Sequence, residues 1–212
     1  GLSPVTDVAS IRSFIEETHR LTGTNAARRA LLSIEDNAWS AMEATIALLL
    51  KKPVTEHGYG IRRIHLNERQ DNPWELVRRG CANARVPDIV LDDCPGRGHL
   101  DLESVAAAAE NKDELGRALA SLRQKYVDDR RRDRELAAQG RIVMSVVSED
   151  LFDHSGLDIV ILEALMASER LGGPRAKDVL TDEVWDPEET RARQRLIWSL
   201  LPWEGGESLG PC

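Results

Sequence analysis

The chain has 212 residues, 42% of them hydrophobic and 30% charged, with a formal net charge of −8. That composition describes a folded chain able to bury its own core and excludes intrinsic disorder. No apolar run approaches the roughly 18 residues of a membrane span, and the acidic balance argues against a broad electrostatic grip on nucleic acid while leaving room for a local basic face.

Taken in chain order, the first half reads as helical. Val8, Ile11, Phe14, Ile15 and Thr18 recur at helical spacing, with Asp7 placed to cap them. Asn25 opens a second helix through Leu32. Asn37 is the expected N-cap of a third helix, residues 38–51, which Pro53 ends. That third helix carries an apolar stripe of Met42, Ile46, Leu49 and Leu50, with Ser40 and Glu43 at its start. "EHGYG" is a turn, "IRRIHLNE" a short strand, and "DNPWELVRRG" either a loop or a helical turn. "RVPDIVLDD" and "HLDLES" read as strands joined by the turn "CPGRG". Residues 106–139 form a long helix with weak points near Asn111 and Gly116, stopped by Gly140. "RIVMSVVS" is the clearest buried strand. A helix over 157–170 and another over 187–201, capped by Asp186, complete the chain, and "PWEGGESLGPC" reads as a frayed end. The layout is α/β, a small mixed sheet with helices packed on it.

The three cysteines have no metal-ligand spacing, so reduced thiols and a cytoplasmic location are expected. No basic and apolar leader is read at the start, so no secretory signal is expected. The first residue is Gly1 rather than Met, which predicts further residues upstream.

The acids of "VPDIVLDDCPGRGHLDLES" carry the chemical question. Strand alternation puts His99, Asp101 and Glu103 on one face and Leu100 and Leu102 on the other. Unpaired carboxylates are costly if buried. One reading is an exposed strand end with solvated acids. The other is a divalent-metal site, since hard cations take carboxylate oxygens and phosphodiester hydrolysis uses such an ion. Asp88, Asp101 and Glu103 are then the candidate ligands, with Glu43 completing the site from its helix.

The ordered set "SAMEATIALLL", "VPDIVL", "LDLES" and "DRRRDRELAAQGRIVMSVVSEDLF", over roughly residues 28–153, resembles the branch of the PD-(D/E)xK nuclease superfamily that holds the very-short-patch-repair-like endonuclease domains. "AARRAL", "SAMEATIALLL" and "HGYGIRRIHLNE" are similar to a bacterial group related to the C-terminal part of AbiEi-type abortive-infection antitoxins. The resemblance implies a restriction-endonuclease-like fold: a small mixed central β-sheet flanked by helices. It divides the chain into an N-terminal helical segment (1–36), an endonuclease-like core (37–153) and a C-terminal helical extension (154–212). It also implies Mg²⁺ or Mn²⁺ as cofactor and DNA as substrate. Asp88, Asp101 and Glu103 would be metal ligands and, with Glu43, the catalytic set.

Two departures stand against turnover. The two acids of the strand are exchanged, as Asp101 and Glu103, which moves each carboxylate by roughly 1.5 Å. "VAAAAE" lacks the histidine that relatives carry after this strand, and position 103 is Glu where the superfamily has Lys; Lys125 lies too far along to replace it. The alternative is therefore a nuclease-fold regulator or antitoxin-like protein that binds DNA, a toxin or another protein without cutting. A purely structural domain ranks last, and nothing in the pattern points to a membrane partner or to a given oligomeric state.

Arg130, Arg131, Arg132 and Arg134 are the candidate phosphate contacts, their ordinary alternative being a solvated helix face. Trp74, near Arg78 and Arg79, is either packing or a base-stacking ring. His65 and His99 are candidate ligands or proton shuttles, or simply solvated. Trp39, Trp185 and Trp198 are expected to pack.

Overall fold

A computed structural model describes residues 6–18, 21–92, 98–103 and 112–201, with the backbone alone at 98–103, 112–120 and 122. The turn residues 93–97, Ser104, the segment "VAAAAE" and the tail from 202 lie outside the described residues.

Local chemistry sets the first helices. α1 (Val8–Glu17) starts where the Asp7 carboxylate accepts from Ser10 N. α2 (Thr24–Leu31) starts two residues earlier than an Asn25 cap would place it, with Gly23 in a left-handed turn at φ 90° before it. α3 (Ala41–Lys51) is capped by Ser40, whose Oγ accepts from Glu43 N at 3.1 Å. Asn37 is not the cap: it sits at φ 70° and spends its amide on the Leu66 carbonyl.

Residues 58–61 fold back on the end of α3. Tyr59 N and Ile61 N donate to the Leu49 and Leu50 carbonyls, and Gly60 N to that of Lys52. This satisfies carbonyls that the helix end would leave bare. Gly58 permits the approach, since a Cβ there would overlap the Lys52 backbone.

The strands β1 (Ile64–Leu66), β4 (Ile89–Leu91), β5 (Gly98–Glu103) and β6 (Val143–Val147) form a four-stranded sheet in that order. β4 runs antiparallel to both β1 and β5, and β6 runs parallel to β5. The parallel step needs a crossover, and α5 (Lys112–Ala137) supplies it as one helix running through Gly116 without a break. Between β1 and β4 the chain makes an excursion: the two-residue strands β2 (Gln70–Asp71) and β3 (Ala84–Arg85) pair and hold the short helix α4 (Trp74–Val77) at its tip. This pair was not expected, and "DNPWELVRRG" resolves as a helical turn.

The chain then continues through α6 (Ser148–Phe152), α7 (Gly156–Arg170), α8 (Ala176–Val179) and α9 (Pro187–Leu200). Asp186 caps α9 through Glu188 N, and Pro187 opens it, as expected. One apolar cluster joins Ile46, Leu49 and Leu50 of α3 to Ile64, Leu66, Ile89, Leu91 and Val146 of the sheet, and to Ile161 and Ile197 of α7 and α9. The helices after residue 154 thus share the core of the sheet. Val90 and Leu136 are fully buried outside that cluster, and α5 packs against β6. No described helix is long and apolar enough to cross a membrane.

Candidate active site

The sheet brings the acids of separate segments to one level. The β1–β4 ladder pairs Leu66 with Ile89, and one residue further Asn67 N donates to the Asp88 carbonyl at 2.9 Å. The β4–β5 ladder pairs Ile89 with Leu100, so its next step puts position 88 beside position 101. Across β5, Asp101 pairs with Ser145 and Glu103 with Val147. Positions 67, 88, 101 and 145 therefore form one row across the sheet, and cross-strand partners share a face. The side chains of Asp101, Glu103 and His99 lie outside the described residues.

Glu43 reaches this row through Asn67. It is 6% exposed, and both its oxygens are engaged. Oε1 accepts from Ser40 Oγ at 2.9 Å, and Oε2 accepts from Trp39 N at 2.8 Å and Asn67 Nδ2 at 2.6 Å. The Ser40–Glu43 exchange is a variant of the capping box, with the carboxylate holding the residue before the cap. Asn67 sits at φ 50°, a conformation for which asparagine is enriched. Its Nδ2 also donates to the Asn37 carbonyl, while its Oδ1 is buried without a hydrogen-bond partner among the described residues. The sequence offered Asn37 only as a helix cap and did not single out Asn67; two asparagines at the ends of predicted elements were the available signal.

Of the other candidates, His65 pairs with Asp92 at 2.8 Å on the exposed side of β1. Trp39 is not a packing residue: it is 68% exposed, and its Nε1 donates to Asn37 Oδ1. Trp185 and Trp198 pack against the core. Among the described residues no group of three or more His, Cys, Asp or Glu side chains could hold a metal ion.

The arginine run divides by helix face. Arg132 is largely covered and lies between Asp129 and Asp133, at 3.4 and 3.9 Å. Arg130 pairs with Asp133 and lies over the Tyr126 ring at 5.3 Å. Arg131 and Arg134 face a cavity of about 520 Å³ between α5 and the α4 excursion, together with Arg79 and Arg85. The excursion is fastened to α5 by Glu135. Arg85 donates to both its oxygens at 2.8 Å, Asn72 adds a bond at 2.6 Å, and Gln139 donates to Asn72 Oδ1. The Arg85 bonds above all hold the Glu135 carboxyl below its ordinary value, and Glu135 in return raises Arg85.

No family model matches the chain, and no curated protein or solved structure matches it.

Proposed function

We propose that the chain is a metal-dependent phosphodiesterase acting on DNA, built on a restriction-endonuclease-like fold. The observation that carries this reading is the row itself: Asn67 tied to Glu43, Asp88 beside Asn67, and position 101 beside 88. The connectivity of helix, three antiparallel strands, crossover helix and parallel fourth strand supports the same reading.

The donor set fits Mg²⁺ or Mn²⁺. Asp88, Asp101 and Glu103 would offer hard oxygen ligands, and Asn67 Oδ1, without a partner among the described residues, is a neutral oxygen at the same level. An ion held there would supply an activated water and charge neutralisation at the phosphate. Glu43 is a positioning residue in this scheme. Both its oxygens are occupied, and it orients Asn67, which in turn fixes the backbone at Asp88.

A second reading, a nuclease-fold regulator or antitoxin-like protein that binds DNA or a protein partner without cutting, is favoured by one feature. Position 103 is Glu rather than Lys, and "VAAAAE" supplies no histidine. The two readings separate on supercoiled plasmid with Mg²⁺ or Mn²⁺. The enzyme reading expects nicking by the wild-type chain and none by Asp88→Asn or Asp101→Asn. A wild-type chain that neither cuts nor binds Mn²⁺ by calorimetry removes the metal site altogether. Mn²⁺ binding without cutting leaves the regulator.

A further inference from the structure

The cavity between α4 and α5 carries a charge that its own ion pairs do not cancel. Six charged groups face it: Arg79, Arg85, Arg131, Arg134, Asp128 and Glu135. Arg85 and Glu135 neutralise each other through two parallel hydrogen bonds. Arg131 meets Asp128 at 3.6 Å, with both half-exposed; such pairs are weak in water. Among the described residues Arg79 donates only to the neutral Glu75 carbonyl, and Arg134 has no ion-pair partner. A chain of net charge −8 therefore holds surplus guanidinium groups in one concave site. Guanidinium forks match phosphate oxygens, and the volume falls in the range of small-ligand pockets.

Each of the two helices that wall the cavity also carries, outside its lining, an exposed aromatic ring stacked with an arginine. On the α4 side Trp74 is 63% exposed, with the Arg78 guanidinium 4.7 Å from its ring centre. On the α5 side Tyr126 is 60% exposed beneath Arg130. Tyr126, Arg130 and Arg134 follow one another at i, i+4 along α5, each turned about 40° from the last, so the ring lies to the side of the cavity beyond Arg134, outside its lining. A cationic cavity with an exposed ring on each of its two helices fits a backbone whose bases are free to stack. Paired bases are already stacked within a duplex, and a duplex asks for a broad positive surface, which the net charge argues against.

We infer that this groove binds an unpaired stretch of nucleic acid, with phosphates at Arg79, Arg131 and Arg134 and bases on Trp74 and Tyr126. The inference deepens the phosphodiesterase reading by naming the substrate form, and it rests on that reading only for the choice of DNA. The test is fluorescence anisotropy with the full chain in EDTA, so that binding is read apart from cutting. The probes are a labelled 15-nucleotide single-stranded DNA, the RNA of the same sequence and the blunt DNA duplex.

The single-stranded DNA is expected to bind about tenfold or more tighter than the duplex. Arg79→Gln with Arg134→Gln should weaken it about tenfold and flatten the log–log salt slope by about 1 to 1.5, the share of two phosphates. Trp74→Ala should weaken it about fivefold or more with the salt slope unchanged, as loss of a stacking ring requires. Single-stranded RNA bound as well as the DNA supports the groove as a reader of unpaired backbone; RNA bound more weakly supports it with DNA as its form. Duplex binding equal to single-strand binding overturns the inference. So does a double arginine variant, of unchanged circular dichroism, that binds like the wild type. Plasmid cutting lost in Asp88→Asn while anisotropy is unchanged would show the active site and the groove to be separate.

Discussion

Two arginine–carboxylate pairs, both tying a helix to a distant segment, sit in opposite surroundings. Arg193 and Asp158 join α9 to α7 with side chains 1% and 9% exposed. Asp158 also accepts from Tyr59 O–H and from Thr190 Oγ1, while Arg193 donates to the His57 and Val184 carbonyls and stacks on the Tyr59 ring at 4.3 Å. No water-sized space remains beside it. Arg85 and Glu135 are as well bonded to each other, yet Arg85 is 21% exposed and the pair forms a wall of an open cavity. The first pair is a closed lock in which every polar atom serves the fold. The second leaves its neighbours Arg79 and Arg134 free to meet solvent or a ligand. Equal chemistry gives a structural joint in one place and the wall of an open cavity in the other, and the difference is the space beside it.

The largest expected effect comes from breaking the closed lock. Arg193→Met strands the Asp158 charge in the core and should cost about 3–5 kcal/mol, read as a lower urea midpoint at unchanged slope. Adding Asp158→Leu should recover part of that loss, because the stranded charge is gone. Opening the other pair should cost less: Arg85→Ala loses charged hydrogen bonds at a partly wet site, about 1.5–3 kcal/mol. Equal losses in Arg193→Met and Arg85→Ala would erase the distinction drawn between them.

A third carboxylate, Glu43, falls in between. Glu43→Ala leaves buried Asn67 Nδ2 without one of its acceptors and loosens the start of α3, for about 1–3 kcal/mol in the same measurement.

Acid sharpens the comparison further. Glu135 is held below its ordinary 4.5, so its contribution is complete above that value and is lost as pH falls through the lower folded value. Stability measured from pH 5 downward should therefore fall less steeply in Glu135→Gln than in the wild type. Tyr59 bears on the opposite limb. Burial, and then the Asp158 charge, raise its phenol well above 10.0, so its contribution is present below that value and is lost as pH rises through the folded one. The smallest effect belongs to the groove: Arg79→Gln and Arg134→Gln should each change stability by no more than about 0.5 kcal/mol, since exposed residues outside the locks carry little of it.

The parts legible in the sequence are those set by near neighbours. Asp7 and Asp186 cap their helices through the backbone two or three residues on, and the stripe of Ile46, Leu49 and Leu50 marks a buried face from spacing alone. The acidic strands were readable as strands, but the partners of Asp88 were not, because register is a relation between segments. Asn67 looked like an ordinary strand end. Its work depends on Glu43, which lies 24 positions away. Arg193 lies in "PEETRARQRLIWSL", where three arginines look alike, and only the packing of α9 on α7 buries this one. The arginine run read as one basic cluster, whereas helix geometry turned Arg132 inward and Arg131 and Arg134 toward the cavity.

The sequence by itself determined the α/β class, most of the helices and the residue types on which the proposed metal site and groove draw. Tertiary structure alone decided which acids share a row, that Glu43 serves through Asn67, and which arginines keep a charge to spare. The physical reason is range. Caps and periodicity act over a turn of chain, while register, burial and the cancelling of charge depend on segments that meet only after folding.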